Sequence, residues 1–414
     1  MRFTLLCRCG YNRNRWLTEG GASDGRSAVF AFYKDGRFYG LIHRQSLMSV
    51  TRLNLQGLRN LAPVEMCPSS RINLIYGVNG SGKTSLLEGI HILGMGRSFR
   101  TRQLKHAIQA EAPYMTLYGR LAGDPEVTLG VRRMRAQREL ELRLRGEKGV
   151  RLAELVEAMP LQLINPDAFR LLEGSPAGRR EFLDWGVFHV KHSFLDAWKR
   201  TRRAVKHRNA LLRRGRIVPS EIAVWEQELA IWGEQMDTLR QTWFSEFLPV
   251  FDETLKELIS LPGLTLRYAR GWDKQRALVD VLQDSRQADQ QMGFTQQGPQ
   301  RADLRIRLNK QPAVEVLSRG QQKLVVSALK LAQGRLLEST TQRHCIYLID
   351  DLPAELDSTH QGRFCNLLEK MQCQAFITSV EPSALRGIWE PSTDVGMFHV
   401  KQSDQGLSQL LPDG

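Results

Sequence analysis

The chain has 414 residues, of which 42% are hydrophobic and 25% are charged, and its formal net charge at pH 7 is +14. This composition is typical of a globular protein with enough length for one large domain or two to three ordinary domains. No apolar run of about 18 residues or more occurs, which argues against a transmembrane helix. The charge favours an acidic partner, either nucleic acid or an anionic membrane surface; a basic protein that ignores nucleic acid is the alternative.

Residues 1–47 differ from the rest of the chain. They are rich in Arg, Gly and Ser and lack sustained periodicity, whereas a strand pattern begins after Met48 with Val50, Leu53 and Leu55. Two interpretations stay open for this leader: a disordered basic arm, or a start codon placed too early. No apolar segment of a secretory signal follows Arg2, and the six cysteines lack zinc-finger spacing. We therefore expect free, buried thiols in a cytoplasmic protein without a membrane partner.

A phosphate-binding loop is the first motif with specific chemistry. Residues 77–84 match the pattern G-x-x-x-x-G-K-[ST], with the apolar run Ile72–Tyr76 before them and a helical pattern at 85–93 after them. Glycines let backbone N–H groups surround phosphates, and the helix N-terminus adds partial positive charge. We expect Lys83 to reach the β- and γ-phosphates of ATP and Thr84 to bind Mg²⁺. The predicted nucleotide-binding residues of this loop are Gly77, Val78, Asn79, Gly80, Ser81, Gly82, Lys83 and Thr84.

Hydrophobic patterns predict two kinds of strand. Apolar and polar residues alternate around 127–131, 140–144, 264–268 and 304–308, which predicts half-buried strands. Continuous apolar runs at 72–76, 345–349 and 375–377 instead predict strands buried on both faces of a mainly parallel sheet.

The middle of the chain is predicted to be helical and strongly basic. From Ile222 to Leu239, apolar residues recur at spacings of 3 and 4, which indicates one arm of a helical hairpin. Upstream, residues 191–216 hold ten basic residues against Asp196 alone, a density that predicts sequence-independent binding to DNA phosphates. The alternative is a solvated face that pairs with acidic helices. The basic residues are Lys191, Lys199, Arg200, Arg202, Arg203, Lys206, Arg208, Arg213, Arg214 and Arg216, and a second candidate patch holds Arg100, Arg102 and Lys105.

A second half of a nucleotide site is predicted near residue 318. Residues 317–322, LSRGQQ, resemble the LSGGQ signature of ABC-type ATPases, with Arg319 in place of a glycine, and they precede a helical pattern. Ser318 is therefore a predicted helix N-cap that faces an anion. In that superfamily the motif completes the nucleotide site of a second subunit; an ordinary capped helix is the alternative. The predicted contact residues are Ser318, Arg319, Gly320 and Gln321.

Paired carboxylates follow the apolar strand pattern at 346–349, as in a Walker B motif. Asp350 is expected to hold Mg²⁺, and Asp351 to orient or deprotonate the attacking water. Residues 355–357 resemble a D-loop that crosses to a partner subunit, which adds Asp357 to the site. The predicted catalytic residues are Lys83, Asp350, Asp351 and Ser318, and the predicted metal ligands are Thr84 and Asp350; Thr378 or Ser379 is the expected γ-phosphate sensor, and Gln162 and Asn165 are weak Q-loop candidates.

These patterns predict an α/β P-loop NTPase with an ABC-type ATPase head and an inserted, mainly helical second lobe. We expect the first part of the ATPase lobe at 48–160, the helical lobe at 161–290 and the second part of the ATPase lobe at 291–414. More than 250 residues separate Lys83 from Asp350, roughly twice the separation in a transporter cassette, and the inserted helical lobe accounts for the excess.

From residue 48 to about 397 the chain resembles the RecF family. The resembling segments, in order, are LRN at 58–60, the P-loop with LE at 87–88, GRSFR at 96–100, GRREFLDW at 178–185, HRNALL at 207–212, GPQRADL at 298–304 and LSRGQQKLVVSALKLAQ at 317–333. Gln300 stands where the family usually has His, which leaves the role of that side chain open.

The resemblance implies a two-lobed protein with an ATPase head of the SMC and Rad50 type. It would bind ATP and Mg²⁺, dimerise, and engage double-stranded DNA near single-strand gaps. Together with RecR and RecO it would help load RecA, and weak, DNA-stimulated ATP hydrolysis would release the dimer. Two alternatives are a metabolite kinase, for which a lid and an acceptor-binding motif are missing, and a transporter subunit, against which the basic helical insert argues.

Overall fold

The structure is a computed structural model that describes residues 29–34, 37–43, 48–123, 125–214, 217–352, 356–403 and 406–413. In chain order its strands are β1 (Val29–Lys34), β2 (Arg37–His43), β3 (Val50–Gln56), β4 (Val64–Met66), β5 (Ile72–Tyr76), β6 (Tyr114–Leu121), β7 (Val127–Met134), β8 (Leu140–Leu144), β9 (Glu147–Lys148), β10 (Leu161–Ile164), β11 (Leu264–Ala269), β12 (Asp303–Leu308), β13 (Gln311–Pro312), β14 (Ile346–Ile349), β15 (Ala375–Ser379), β16 (Val395–Gln402) and β17 (Ser408–Asp413). The helices are α1 (Lys83–Met95), α2 (Leu152–Ala158), α3 (Arg170–Glu173), α4 (Pro176–Val190), α5 (Phe194–Leu212), α6 (Pro219–Leu258), α7 (Leu278–Asp284), α8 (Arg286–Met292), α9 (Ala313–Val316), α10 (Arg319–Thr341), α11 (Ser358–Lys370) and α12 (Ser383–Arg386), with 3-10 turns at Leu104–Ala107, Pro166–Phe169 and Pro299–Arg301.

A mainly parallel sheet forms the centre of the ATPase lobe. Its strand order is β10-β14-β15-β5-β16-β17, and only β17 runs antiparallel to its neighbour. Every residue of β14 and β15 is buried, and so are the first four residues of β5. The continuous apolar runs in these segments are thus explained by burial on both faces, as predicted.

A second, antiparallel sheet packs on the helix that follows the phosphate loop. Its strand order is β4-β3-β6-β7-β8-β9, and burial alternates along β6 as expected for a sheet with one face on the core. One hydrophobic cluster joins Leu53 of this sheet, Ile90 of α1 and Phe376 of the central sheet. Helix α1 therefore lies between the two sheets, which holds its N-terminus in place.

The helical segment is built around a hairpin of α5 and the 40-residue helix α6. Ile222, Leu229 and Met236 of the predicted seam are buried, which confirms that this stripe faces inward. Further along α6, Trp243 and Phe247 join the same hydrophobic cluster as Leu329 of α10. The helical segment thus packs directly on the helix that begins at the signature motif.

One predicted boundary, the start of the helical lobe, differs from the structure. Leu161–Ile164 pairs in parallel with β14, so this strand belongs to the central sheet although the predicted helical lobe begins at 161. The same segment also contributes β11, which pairs with β12 in a three-stranded sheet. Within the leader, β1 and β2 pair in antiparallel orientation, and residues 1–28, 35–36 and 44–47 lie outside the described residues.

Two further findings concern thiols and membranes. Of the cysteines in the described residues, Cys345, Cys365 and Cys373 are buried free thiols, as expected, whereas Cys67 is exposed. Burial raises the pKa of Cys365 and of Cys373 to about 12, so both stay protonated at neutral pH. In the part of the chain that the structure describes, no helix is both long and apolar enough to span a bilayer.

Candidate nucleotide-binding site

The phosphate loop joins the end of β5 to the start of α1, as its sequence predicts. Gly77 and Gly82 adopt φ values of 153° and 108°, which favour glycine. A Cβ on Gly77 would clash with the carbonyl oxygen of Val400, and one on Gly82 would lie 2.8 Å from the hydroxyl of Ser408. The loop therefore passes close to the two C-terminal strands, and only glycine fits at these two positions.

Lys83 begins α1 and points back over the loop. Its Nζ donates hydrogen bonds to the carbonyl oxygens of Gly77 at 2.7 Å and Val78 at 3.1 Å. Burial lowers the pKa of Lys83, and the nearby carboxylates of Asp351 and Asp350 partly oppose that change. The ammonium group is thus held where phosphate oxygens can replace the two carbonyl acceptors.

The two candidate metal ligands meet at this site. The Thr84 hydroxyl lies 3.1 Å from each carboxylate oxygen of Asp350, although the two residues are 266 positions apart. Among the described residues no group of three or more His, Cys, Asp or Glu side chains could hold a metal ion. A Mg²⁺ ion at Thr84 and Asp350 would therefore complete its coordination with phosphate oxygens and water, which is its usual preference.

Thr378 connects the two Walker B carboxylates. Its hydroxyl donates to Asp350 Oδ1 at 2.8 Å and accepts from the backbone N–H of Asp351 at 2.7 Å. Asp351 has a φ of 55°, so its backbone turns sharply away from the strand at this point. Ser379, the other predicted sensor, instead donates to the carbonyl of Glu381 and does not line the cavity. Of the two, the structure brings Thr378 to the site.

A cavity of about 590 Å³ contains these groups. That volume lies within the range typical of small-molecule pockets. The cavity is lined by Arg59, Asn60, Asn79, Gly80, Gly82, Lys83, Thr84, Ser85, Arg100, Pro166, Asp350, Asp351 and Thr378. Predicted loop, Walker B and sensor residues are thus brought together in one chamber.

Two arginines of the cavity were not predicted as nucleotide contacts. Arg59 pairs with the fully buried carboxylate of Glu88 at 2.8 Å, and Arg100 lies 3.5 Å from the same carboxylate. Ser98 also donates to Glu88, at 2.5 Å. Because Glu88 lies on α1, one buried acid positions both arginines beside the phosphate loop. Arg100 of the second candidate patch therefore lies at the nucleotide cavity, whereas Arg102 and Lys105 line a separate basic pocket.

The signature segment begins α10, four residues earlier than the predicted helix. Ser318 accepts from the N–H of Gln321, and the Gln321 side chain accepts from the N–H of Ser318, which completes a capping box. Both Ser318 and Gly320 are exposed, and a Cβ on Gly320 would meet no atom within 4 Å. Arg319 pairs with Glu173. None of residues 318–321 lines the cavity of its own chain.

The structure describes only part of the predicted D-loop. Glu355 lies outside the described residues, Leu356 is buried, and Asp357 is the N-cap of α11. The Asp357 carboxylate accepts from the N–H of His360 at 3.1 Å and lies 2.6 Å from its Nδ1. These contacts lower the pKa of Asp357, with the side-chain contact to His360 as the largest cause. Asp357 does not line the cavity of its own chain.

The Q-loop candidates have structural partners. Gln162 is buried, and its Nε2 donates to Gln333 of α10 at 2.8 Å, which directs the side chain away from the cavity. Asn165 accepts from the N–H of Ala168 at 2.9 Å and caps a 3-10 turn. The loop after β10 nevertheless reaches the site through Pro166.

The basic helix α5 contains both paired and unpaired charges. Arg208 is fully buried and binds Glu226 at 3.1 Å and Asp289 at 2.6 Å, so its assignment to a DNA-facing surface is wrong. Lys191 pairs with Glu246, and Arg216 lies outside the described residues. The exposed cations of α5 itself are Lys199, Arg200, Arg202, Arg203 and Lys206, of which Arg200 pairs with Asp196.

Comparison with known proteins shows which family has this architecture. Residues 49–405 match the family described as RecF/RecN/SMC N terminal domain. The DNA replication and repair protein RecF of Chromohalobacter salexigens is 67% identical over 354 residues, which cover 86% of this chain and 98% of the relative. The protein of the same name from Pseudomonas aeruginosa (strain LESB58) is 52% identical over 356 residues, which cover 86% of this chain and 96% of the relative.

Solved structures agree on the fold. The structure described as the recombination mediator protein RecF-ATP in the RecFOR pathway has a TM-score of 0.77 at 23% identity and covers 89% of this chain and 99% of that chain. An Smc head bound to the C-winged helix domain of ScpA has a TM-score of 0.56 at 16% identity and covers 88% of this chain and 98% of that chain.

The fold and the arrangement of the phosphate loop, Walker B strand and signature helix define an ABC-type P-loop ATPase head with a helical insertion. The identity to the curated relatives is far above the level at which sequences share only a fold. The chain belongs to the RecF/RecN/SMC N-terminal domain family and, within it, to the RecF proteins.

Proposed function

We propose that this protein is an ATP-driven switch of recombinational gap repair and replication restart. In this proposal ATP and Mg²⁺ drive head-to-head dimerisation and binding to double-stranded DNA near single-strand gaps. The dimer works with RecR and RecO to help load RecA, and slow, DNA-stimulated hydrolysis resets it. Relatives described as DNA replication and repair proteins support the repair role, and a structural neighbour described as RecF-ATP supports the nucleotide.

The observation that carries the proposal is the separation of two half-sites on one chain. The cavity contains Lys83, Thr84, Asp350 and Asp351 but none of residues 318–321. Ser318, by contrast, caps an exposed helix N-terminus, which is a favourable place for an anion. A second copy of the chain would bring that helix onto the triphosphate, so that nucleotide and dimer stabilise each other.

The groups at the Walker B strand support the proposal of slow hydrolysis. Asp351 is one methylene shorter than the glutamate usual in ABC-type ATPases, and its backbone is bound to Thr378. We propose that Asp351 orients the attacking water while Asp350 and Thr84 hold Mg²⁺. Arg59 and Arg100 add positive charge at the same cavity and would stabilise the phosphates during transfer.

DNA binding is proposed for the exposed face of α5. Lys199, Arg202, Arg203 and Lys206 are exposed there without a carboxylate within 4.0 Å among the described residues. Such cations bind phosphates independently of sequence and make affinity depend on salt. The measurement is the affinity for gapped duplex DNA, with and without ATP, across a salt series. An affinity that does not change with salt would refute the proposal that this face of α5 binds DNA.

Dimerisation tests the proposed arrangement most directly. In the Asp351→Asn variant, which we expect to hydrolyse ATP slowly, ATP should shift the protein from monomer to dimer in analytical ultracentrifugation. Adding Gly320→Arg should abolish that shift, because the substitution keeps the Ser318 cap but places a bulky cation on the proposed interface. Lys83→Ala should abolish it through loss of ATP binding.

Ser220→Arg is the matched control, since Ser220 is exposed near the start of α6 and the substitution adds the same charge away from the signature helix. This variant should dimerise like the parent. An unchanged ATP-dependent dimer in the Gly320→Arg variant would refute the head-to-head arrangement. ATP turnover with and without gapped duplex DNA then tests whether DNA stimulates hydrolysis.

A further inference from the structure

The helical segment contains a second cavity, of about 500 Å³, between α4, α5, α6 and the turn at Pro299–Arg301. It shares no lining residue with the nucleotide cavity. Its volume is within the range of pockets that bind small molecules. The site proposed for ATP therefore leaves this chamber unexplained.

Positive charge dominates the lining of this cavity. Five basic side chains face two carboxylates, and both carboxylates already have partners. Asp184 lies 2.7 Å from Arg240, and Glu181 lies 3.3 Å from Arg97, which does not line the cavity. The other four basic residues are Arg180, Arg202, Lys206 and Arg213.

These four cations have no carboxylate within 4.0 Å among the described residues. Arg180 donates to the carbonyl of Ala302 at 3.0 Å, and Arg213 donates to the carbonyl of Gly293 at 3.1 Å. Arg202 stacks on the ring of Trp198, with 4.5 Å between its guanidinium carbon and the ring centroid. Burial and the nearby charge of Arg240 lower the pKa of Arg180, as expected for a cation in an excess of positive charge. An anion in the cavity would relieve that excess.

Two polar atoms of the lining also lack partners. Thr201 is only 2% exposed, and its hydroxyl has no hydrogen-bond partner among the described residues. The Oε1 of Gln300 is likewise unpartnered, while its Nε2 donates to the carbonyl of Gln297 at 2.8 Å. Buried polar groups are nearly always satisfied in folded proteins. A hydroxyl can donate to a phosphate, and an amide oxygen can accept from an amino or hydroxyl group of a nucleoside.

We infer that this cavity binds one nucleotide unit, with its phosphate held by Arg180, Arg202 and Lys206 and its polar contacts completed by Thr201 and Gln300. The unit can belong to a DNA strand that lies along α5 or to a free nucleotide. In the first case the inference rests on the DNA binding proposed above, and in the second it does not.

The test uses dAMP as the probe in the full-length protein, saturated with MgADP so that the phosphate loop is occupied. Affinity is measured by calorimetry for the parent and for the Thr201→Val and Lys206→Gln variants. Each substitution should weaken dAMP binding at least about fivefold, because it removes a donor to the phosphate. Thr201→Val also removes an unpartnered buried hydroxyl, so its thermal midpoint should not fall.

Lys256→Gln is the matched control. Lys256 is an exposed lysine near the end of α6, and it neither lines the cavity nor belongs to the proposed DNA-binding face of α5. This variant should bind dAMP within about twofold of the parent, because screening weakens charges at a distance. Equal dAMP affinity in all variants, or no dAMP binding by the parent, would overturn the inference.

A second measurement identifies the source of the nucleotide unit. If the unit belongs to DNA, Thr201→Val should weaken binding to gapped duplex DNA at least about threefold, and dAMP should compete with DNA. If Thr201→Val abolishes dAMP binding but leaves DNA affinity unchanged, the site stands and takes a free nucleotide. Failure of ATP-dependent dimerisation refutes the proposed function without changing the dAMP result.

Discussion

Arg59 and Glu88 form a two-point ion pair in which the Nε and one Nη of Arg59 lie 2.9 and 2.8 Å from the two carboxylate oxygens. Glu88 is completely buried on α1, and Arg59 adopts a φ of 50° in the turn after β3. A third donor of Arg59 binds the carbonyl of His106 at 2.7 Å. The pair therefore connects the turn after β3, the P-loop helix and the segment of Arg100 and His106 on one side of the cavity.

Replacing Glu88 by Gln should lower both the free energy of unfolding and the affinity for ATP. The variant leaves Arg59 and Arg100 without their carboxylate, and breaking such a buried pair costs about 2–4 kcal/mol of unfolding free energy, measured by urea denaturation. ATP affinity should fall as well, because both arginines line the cavity. Glu65→Gln is the control, since Glu65 is exposed, lies 3.9 Å from Arg52 and accepts a hydrogen bond from Asn54 at 3.0 Å that a glutamine oxygen can also accept. This substitution should cost below about 1 kcal/mol. Equal losses in the two variants would contradict the role of Glu88.

Thr378→Val should impair hydrolysis more than binding. The substitution removes the hydroxyl that connects Asp350 with the N–H of Asp351 but keeps the side-chain shape. We expect kcat to fall about ten- to hundredfold, with the KM for ATP within about twofold, since positioned hydrogen bonds act mainly on the transition state. Ser379→Ala is the matched control because that hydroxyl binds Glu381 instead. A large rise in KM with unchanged kcat would argue against this role.

The pH dependence of the free energy of unfolding should show that His189 is buried in its neutral form. Burial lowers its pKa to about 3, with a further contribution from the charge of Arg343, and neither ring nitrogen has a partner among the described residues. Since the unfolded side chain titrates near 6.5, the unfolded state binds more protons below that pH. The stability contributed by neutral His189 is therefore complete above about pH 6.5 and is lost as pH falls toward 3.

His189→Phe should flatten this dependence by up to about 1.4 kcal/mol per pH unit between pH 6 and 4, measured by denaturant unfolding at each pH. Phenylalanine suits the site because the His189 ring packs against Trp185 and Phe188. Above pH 7.5 the curves of parent and variant should run parallel, which provides an internal control. Parallel curves at all pH values would mean that His189 is not buried in its neutral form.

Arg208 and Arg203 should respond differently to substitution although they lie on the same helix. Arg208→Met leaves the buried carboxylates of Glu226 and Asp289 without their shared cation, which should cost about 3–5 kcal/mol of unfolding free energy. Arg203→Gln should leave stability nearly unchanged because Arg203 is exposed, but it should reduce the salt dependence of DNA binding by about one phosphate contact. Stability that is insensitive to Arg208→Met would contradict the buried network.

Short-range patterns were sufficient for the motifs of this protein. The phosphate loop between β5 and α1, the carboxylates after β14 and the Ser318 cap of α10 all lie where their sequences predict them. Each of these features depends on neighbours within a few residues: a strand with continuous apolar residues, glycines at positive φ, or a capping side chain. The inward stripe of α6 was also predictable, because helical periodicity alone determines which residues share a face.

The sequence by itself therefore determined the class of site and the residues of its contiguous motifs. Only the tertiary structure decided which isolated charges belong to which site. Arg100 lines the nucleotide cavity because Glu88 is buried beside it, and Arg208 is removed from the basic surface because α6 and α8 supply its two carboxylates. The sequence around a charged residue does not indicate its ion-pair partner, because burial and ion pairing depend on segments that are distant in the chain and meet only when it folds.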